Sequence, residues 1–176
     1  MTEEYFKTKI RSIPDFPKKG IMYRDITTLT SDSEAFAMAI DVIFDRSHDL
    51  GITKVVAIES RGFVFGSALA YKLGCGMVLV RKPGKLPFEI VSEDYTLEYG
   101  TDRIEIHSDA LTPTDRVMIV DDLVATGGTL LACCHLVEKL GAGIACVATV
   151  VELSHLGGQN RFSDYNYFSL VKYDSG

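Results

Sequence analysis

Asp121 and Asp122 stand side by side at the end of the apolar run Val117–Val120, and Ala125-Thr126-Gly127-Gly128-Thr129 follows two residues later. Each part has its own chemistry. Glycines let the backbone turn its N–H groups inward around an anion. Two threonine hydroxyls add donors, and a helix beginning at the loop adds a favourable dipole, so the loop suits a phosphate monoester. Paired carboxylates would repel a phosphate at that distance; they accept hydrogen bonds, and vicinal sugar hydroxyls donate them. Phosphate on one side and a diol on the other describe a ribose 5-phosphate. The plainer reading, a strand–turn–helix with solvated acids, leaves the combination and its order unaccounted for.

Two further loops carry positive charge. Glu59-Ser60-Arg61-Gly62 follows the apolar run Val55–Ile58 and offers a guanidinium fork among small residues at the start of a helix, which suits pyrophosphate. Alone, it reads better as an ordinary capped turn with a surface arginine; opposite the ribose-phosphate loop, the pyrophosphate reading wins. Arg81, Lys82 and Lys85 follow Met77–Val80. Such a run is usually a solvated face, but in a chain of net charge −6 any anion site must be locally basic. The same acidic balance disfavours nonspecific nucleic-acid binding. Other signatures fail: there is no Walker GxxxxGK, no HExxH and no GxSxG, and Gly74-Cys75-Gly76 lacks the third glycine of a dinucleotide fingerprint. His48, His107, His135 and His155 are isolated. Cys75, Cys133, Cys134 and Cys146 have no CxxC spacing and sit among apolar residues, as reduced core thiols of a cytoplasmic protein do. Cys133-Cys134-His135 is a poor metal cluster, because consecutive helical positions point about 100° apart.

These loops need a scaffold, and the apolar periodicity describes one. A short helix is expected over Glu4–Arg11, ended by Pro14 and Pro17, and then an extended segment through Thr27. Ser31–Glu34 has capping-box spacing, and Phe36, Ile40, Ile43 and Phe44 form one helical face before Gly51. Val55–Ile58 and Met77–Val80 read as strands around a helix, Phe63–Leu73, that Gly74 stops. RKPGKLPFEIVSEDY is too long and polar for a simple connection and reads as a lid loop, flanked by short strands at Thr96–Tyr99 and Arg103–His107. Val117–Val120 comes next, then a helix with Leu130, Cys133, Cys134 and Val137 on one face, then a strand at Ile144–Val151 and an aromatic piece, Phe162–Tyr173. Strands alternating with helices predict a single α/β domain over residues 1–176, doubly wound, with a mainly parallel sheet flanked by helices. Ligands in such sheets lie beyond the carboxyl ends of the strands, so the loops after Ile58, Val80, Val120 and Val151 should surround one cleft. No apolar run reaches membrane-spanning length, and MTEEYFKTKI lacks the apolar core of a signal peptide.

PDFPKKGIMYRDI, IESRGFVFG, VRKPGKLP, LEYG, DDLVATGGT and VVEL occur in an order similar to that of the adenine phosphoribosyltransferase family, a branch of the type I phosphoribosyltransferases. The similarity runs from Ile13 to Leu153. It implies a purine-salvage transferase making AMP and pyrophosphate from adenine and phosphoribosyl pyrophosphate (PRPP), with Mg2+ held mainly by PRPP rather than by protein side chains. It also implies a small N-terminal hood over about residues 1–30, a flexible catalytic lid over about 82–97, and a homodimer. By the same resemblance Asp121 and Asp122 hold the ribose hydroxyls, and Ala125, Thr126, Gly127, Gly128 and Thr129 hold the 5-phosphate. Ser60, Arg61, Arg81, Lys82 and Lys85 face pyrophosphate, Arg81 in its own or a neighbouring subunit's site. The backbone at Met22, Tyr23 and Arg24 reads adenine, and Leu153 covers it. Glu98 is the acid/base candidate, and a cis Glu59–Ser60 bond is implied. Neither Phe88–Asp94 within the lid nor the tail after Ser154 carries residue-level roles. Two rivals stay open: a sister enzyme for hypoxanthine, guanine, xanthine or orotate, and a PRPP-sensing regulator.

Overall fold

The computed structural model describes residues 3–97 and 100–175. The chain opens with α1 (Glu3–Lys9), a small hairpin of β1 (Arg11–Ile13) and β2 (Tyr23–Asp25), then α2 (Thr27–Ser31) and α3 (Ser33–Asp45). β3 (Lys54–Ile58), α4 (Gly62–Leu73) and β4 (Gly76–Val80) form the first strand–helix–strand unit. An antiparallel hairpin, β5 (Ile90–Leu97) and β6 (Gly100–His107), separates it from the second unit: β7 (Arg116–Val124), α5 (Gly128–Lys139) and β8 (Gly143–Leu153). β9 (Tyr167–Tyr173) is the last described element.

The central sheet has the order β4-β3-β7-β8-β9, and every pairing is parallel. The central runs Val55–Ile58 and Val117–Val120 are buried and apolar because both faces are covered there. Successive side chains alternate across the sheet. Met118 and Val120 of β7 meet Phe65 and Leu69 of α4 and Ile40 and Ile43 of α3, whereas Val117 and Ile119 meet Leu130, Cys133 and Val137 of α5 together with Ile104 and Ile106 of β6. Close approach decides one residue of α4: a Cβ on Gly66 would lie 2.5 Å from that of Ala57, so only glycine lets the helix rest on β3. No helix among the described residues is long and apolar enough to cross a membrane.

The doubly wound α/β architecture agrees with the expectation, with four local corrections. The first helix ends at Lys9, not Arg11, because Arg11 leaves it to pair with Asp25 across the β1–β2 ladder, its guanidinium 2.6 and 3.1 Å from that carboxylate. The cap of α3 is Asp32, not Ser31: its carboxylate accepts the Ala35 N–H at 3.0 Å and also holds the Lys9 ammonium at 2.6 Å. The stretch read as a lid loop is a strand from Ile90 onward. Long-range partners order it, with Arg103 bidentate to Asp94 (2.6 and 3.1 Å) and Glu93 held by His135 (2.9 Å) and Lys139 (2.5 Å) of α5. Finally, β7 does not stop at Val120. It runs on through both aspartates to Val124, because β8 continues to pair with it after β3 has ended at its level.

Candidate active site

The strand order reverses between β3 and β7: β3 connects outward through α4 to β4, and β7 connects the other way through α5 to β8. A crevice opens at such a switch point beyond the strand ends. Here it is a cleft of about 310 Å³ between the Ile58–Arg61 turn and the segment from Asp121 to Leu130, with Lys82 and Tyr95 at one side.

The acidic pair forms one wall. β7 outlasts β3 by these residues, so their carboxylates stand at the step where the neighbouring strand is missing. Asp121 Oδ1 accepts the Asp122 N–H at 2.8 Å. Burial, and then the charge of Asp122, pushes the Asp121 carboxyl well above the usual carboxylate range. Burial raises Asp122 as well, although the Arg61 guanidinium pulls against it. Arg61 Nε lies 2.9 Å from Asp122 Oδ2 but off the line of a hydrogen bond, so that buried oxygen has no aligned donor among the described residues.

The Ala125–Thr129 loop forms the floor. Gly127 has φ +79°, a left-handed conformation that glycine adopts freely, and it turns the chain into α5, whose first residue is Gly128. The loop is supported from behind by a turn absent from the sequence reading. A Cβ on Gly158 would lie 2.1 Å from Ala125 O and 2.7 Å from Gly127 N, and one on Gly127 would lie 2.7 Å from Gly158 O. Backbone rests on backbone there. The Gly157-Gly158 pair was the sequence signal that could have exposed it.

At the cationic side, the Glu59–Ser60 peptide bond is cis, as the resemblance implies. Arg61 donates from Nη1 to the Tyr23 hydroxyl at 2.7 Å, joining the N-terminal segment to the cleft. Lys82 lines the cleft, its ammonium paired with Asp102 and donating to Tyr95 Oη at 2.7 Å. Arg81 and Lys85 do not line it: Arg81 Nε turns to Glu59 Oε2 at 2.8 Å, and Lys85 is exposed. Met22, Arg24 and Leu153 also stand outside the lining. The Arg24 guanidinium lies 3.8 Å over the Tyr173 ring and donates to Ser12 Oγ and Ser175 O, while Leu153 packs against the α3–α4 core. Glu98 lies outside the described residues. Sequence reasoning gave no individual role to Glu59 or Tyr95, both of which line the cleft; strand alternation from Val91 through Glu93 to Tyr95 was the available signal for the latter.

Among the described residues no group of three or more His, Cys, Asp or Glu side chains could hold a metal ion. A protein-only cage therefore does not fit. An ion bound chiefly through a substrate's own oxygens, facing Asp121 and the undonated Asp122 Oδ2, does.

The sequence model of the phosphoribosyl transferase domain matches residues 29–175. The adenine phosphoribosyltransferase of Chlorobium phaeovibrioides is 54% identical over 172 residues, covering 96% of this chain and 97% of that one. The crystal structure of the adenine phosphoribosyltransferase of Thermoanaerobacter pseudethanolicus superposes with a TM-score of 0.92 at 48% identity, covering 98% of this chain and all of that one. The Trypanosoma brucei enzyme, solved with AMP, pyrophosphate and ribose-5-phosphate, is 27% identical with a TM-score of 0.88, covering 97% of this chain and 79% of that one.

Proposed function

The chain belongs to the adenine phosphoribosyltransferase family, and from that premise we propose how its cleft makes AMP and pyrophosphate from adenine and PRPP in purine salvage. In this reaction the bond from ribosyl C1 to pyrophosphate breaks, its electron pair leaves with pyrophosphate, and adenine N9 bonds to C1. Positive charge builds on the sugar and negative charge on the leaving group. One observation carries the reading: β7 delivers Asp121 and Asp122, then the Gly127-Gly128 turn, to one side of a switch-point cleft whose other side Arg61 enters after β3.

Asp121 and Asp122 accept hydrogen bonds from the ribose 2- and 3-hydroxyls and face the developing positive charge. Ala125–Thr129 cradle the 5-phosphate at the N-terminus of α5. Ser60, Arg61 and Lys82 meet the pyrophosphate, Arg61 as a fork. Bound Mg2+ would neutralise pyrophosphate charge in the ground and transition states. Adenine sits against the backbone of Met22–Arg24, under Leu153, and loses its N9 proton as the new bond forms, with Glu98 the group that exchanges protons with the base. The segment from about 82 to 97, with Tyr95 already at the cleft, shields the ribosyl centre from water, which would otherwise hydrolyse PRPP. The free, largely buried thiols support a cytoplasmic setting.

Incubation with PRPP and each base, with and without magnesium, tests the whole reading. AMP from adenine, and no nucleotide from hypoxanthine, guanine, xanthine or orotate, is the expected result. Tight PRPP binding without turnover on any base would point to a regulator instead.

A further inference from the structure

Arg61 has two neighbours that hold it differently. Its Nε lies 2.9 Å from Asp122 Oδ2 without hydrogen-bond alignment, so that attraction is coulombic and sets little orientation. Among the described residues, the Tyr23 hydroxyl is the only group hydrogen-bonded to the guanidinium, at 2.7 Å from Nη1. Tyr23 is itself fixed: it belongs to the β1–β2 ladder opposite Ile13, and its ring meets Phe16 edge-on at 5.1 Å. A guanidinium has five N–H donors in a rigid plane. With one N–H on Tyr23 and Nε beside Asp122, the remaining Nη donors are held as a fork at the mouth of a cleft that Arg61 lines.

We propose that the Tyr23 hydroxyl is a positioning residue that preorganises Arg61 for the pyrophosphate of PRPP, so that the N-terminal segment contributes to pyrophosphate binding as well as to the base site. The inference rests on the reading of Arg61 as a pyrophosphate ligand and adds what aims it. An arginine left to rotate about its four side-chain torsions would lose that entropy on each binding event; one already held by a hydroxyl loses less. The hydroxyl therefore acts on ligands that carry pyrophosphate and is indifferent to those that do not.

Tyr23→Phe keeps the ring and the backbone and removes only the oxygen. PRPP and ribose 5-phosphate, which differ only in the pyrophosphate, are titrated calorimetrically against the parent and the variant in the presence of magnesium. The expected result is a Kd for PRPP weakened by about tenfold, the scale of one hydrogen bond to a charged group, with ribose 5-phosphate unchanged. In turnover the KM for PRPP should rise while kcat stays within about twofold, as for lost binding common to ground and transition states. Because Tyr23 acts through Arg61, adding Tyr23→Phe to Arg61→Lys should weaken PRPP binding little further. Equal PRPP affinity in parent and Tyr23→Phe overturns the proposal, as does an equal loss for ribose 5-phosphate or additive effects in the double variant. A parent protein that binds PRPP but makes no AMP would instead strike the catalytic reading and leave this test standing.

Discussion

The ribose-binding role proposed for Asp121 and Asp122 stands against a cost of their burial to the folded state. Substituting either by asparagine should weaken PRPP binding by about 1.5–3 kcal/mol, the scale of one charged hydrogen-bond partner. The same change should help the unliganded protein. Burial and the Asp122 charge hold the Asp121 carboxyl well above its ordinary value. A carboxyl raised in the folded state contributes stability that is full below its unfolded value of about 3.9 and is lost as pH rises through the folded value. Asp121→Asn removes that loss, so the free variant should melt above the parent at pH 7, with the gain vanishing below the unfolded carboxylate pKa. Thermal scans across pH, paired with calorimetry for PRPP, check both signs; a lower melting temperature at pH 7 would contradict the electrostatic account. Glu98, which follows Leu97 in the LEYG motif, makes a separate prediction. Glu98→Gln retains size and hydrogen bonding and should lower single-turnover AMP formation by about 10²–10⁴-fold with PRPP affinity little changed. A variant running near the parent rate would leave Glu98 at most a positioning role.

The Ala125–Thr129 loop, the proposed 5-phosphate cradle, has another element standing behind it. The turn after β8 is held at its start by Glu152, a buried carboxylate that accepts from Ser154 Oγ (2.7 Å), Tyr167 Oη (3.0 Å) and Ser169 Oγ (3.1 Å). Gln159 Nε2 donates to Ser154 O at 3.2 Å, and Gly158 beside it lies against Ala125 and Gly127. Gly158→Ala forces a Cβ to within 2.1 Å of Ala125 O, which backbone on both sides cannot relieve without moving the loop. An overpacked site of this kind costs about 1–3 kcal/mol. We therefore expect a lower melting temperature together with weaker binding of both PRPP and ribose 5-phosphate, since the two share the 5-phosphate. Gly143→Ala, whose Cβ would meet only Asp115 O at 3.8 Å, serves as the control. Loss of stability in Gly158→Ala with phosphate affinity intact would show that the turn supports the fold and not the loop.

At the scale of the molecule, the sheet buries both faces but leaves an apolar margin. Val64 and Tyr71 lie two helical turns apart on α4, both exposed, Tyr71 at 90%. Leu79 on β4, at the end of the sheet, is exposed as well, and Ser67 Oγ touches Met77 Sδ at 3.2 Å, joining helix to strand. The homodimer implied by family resemblance would have an apolar surface to use here, and twofold pairs are the commonest assembly. Sedimentation at micromolar concentration should show a dimer, and Tyr71→Asp should raise its Kd at least about tenfold, or about 1.4 kcal/mol. A monomeric parent with full activity would reject the assembly.

Much of this protein was legible in its sequence because the relevant groups are contiguous. The apolar run into Asp121-Asp122, the Gly127-Gly128 turn and the Arg61 loop each carry their chemistry within a few residues, and strand–helix alternation implied the sheet edge where they meet. What remained hidden depends on groups far apart in the chain. Tyr23 reaches Arg61 across 38 positions, and Gly158 supports a loop some thirty residues earlier. Glu59 pairs with Arg81 across 22 positions, and Glu93 docks β5 on α5, turning an expected loop into a strand. Periodicity and local motifs report which face a side chain presents and which turn the backbone can make. They contain nothing about a hydrogen bond or a backbone contact that exists only once the sheet has brought distant loops together, and those contacts decide where the guanidinium points and how firmly the Ala125–Thr129 loop is held.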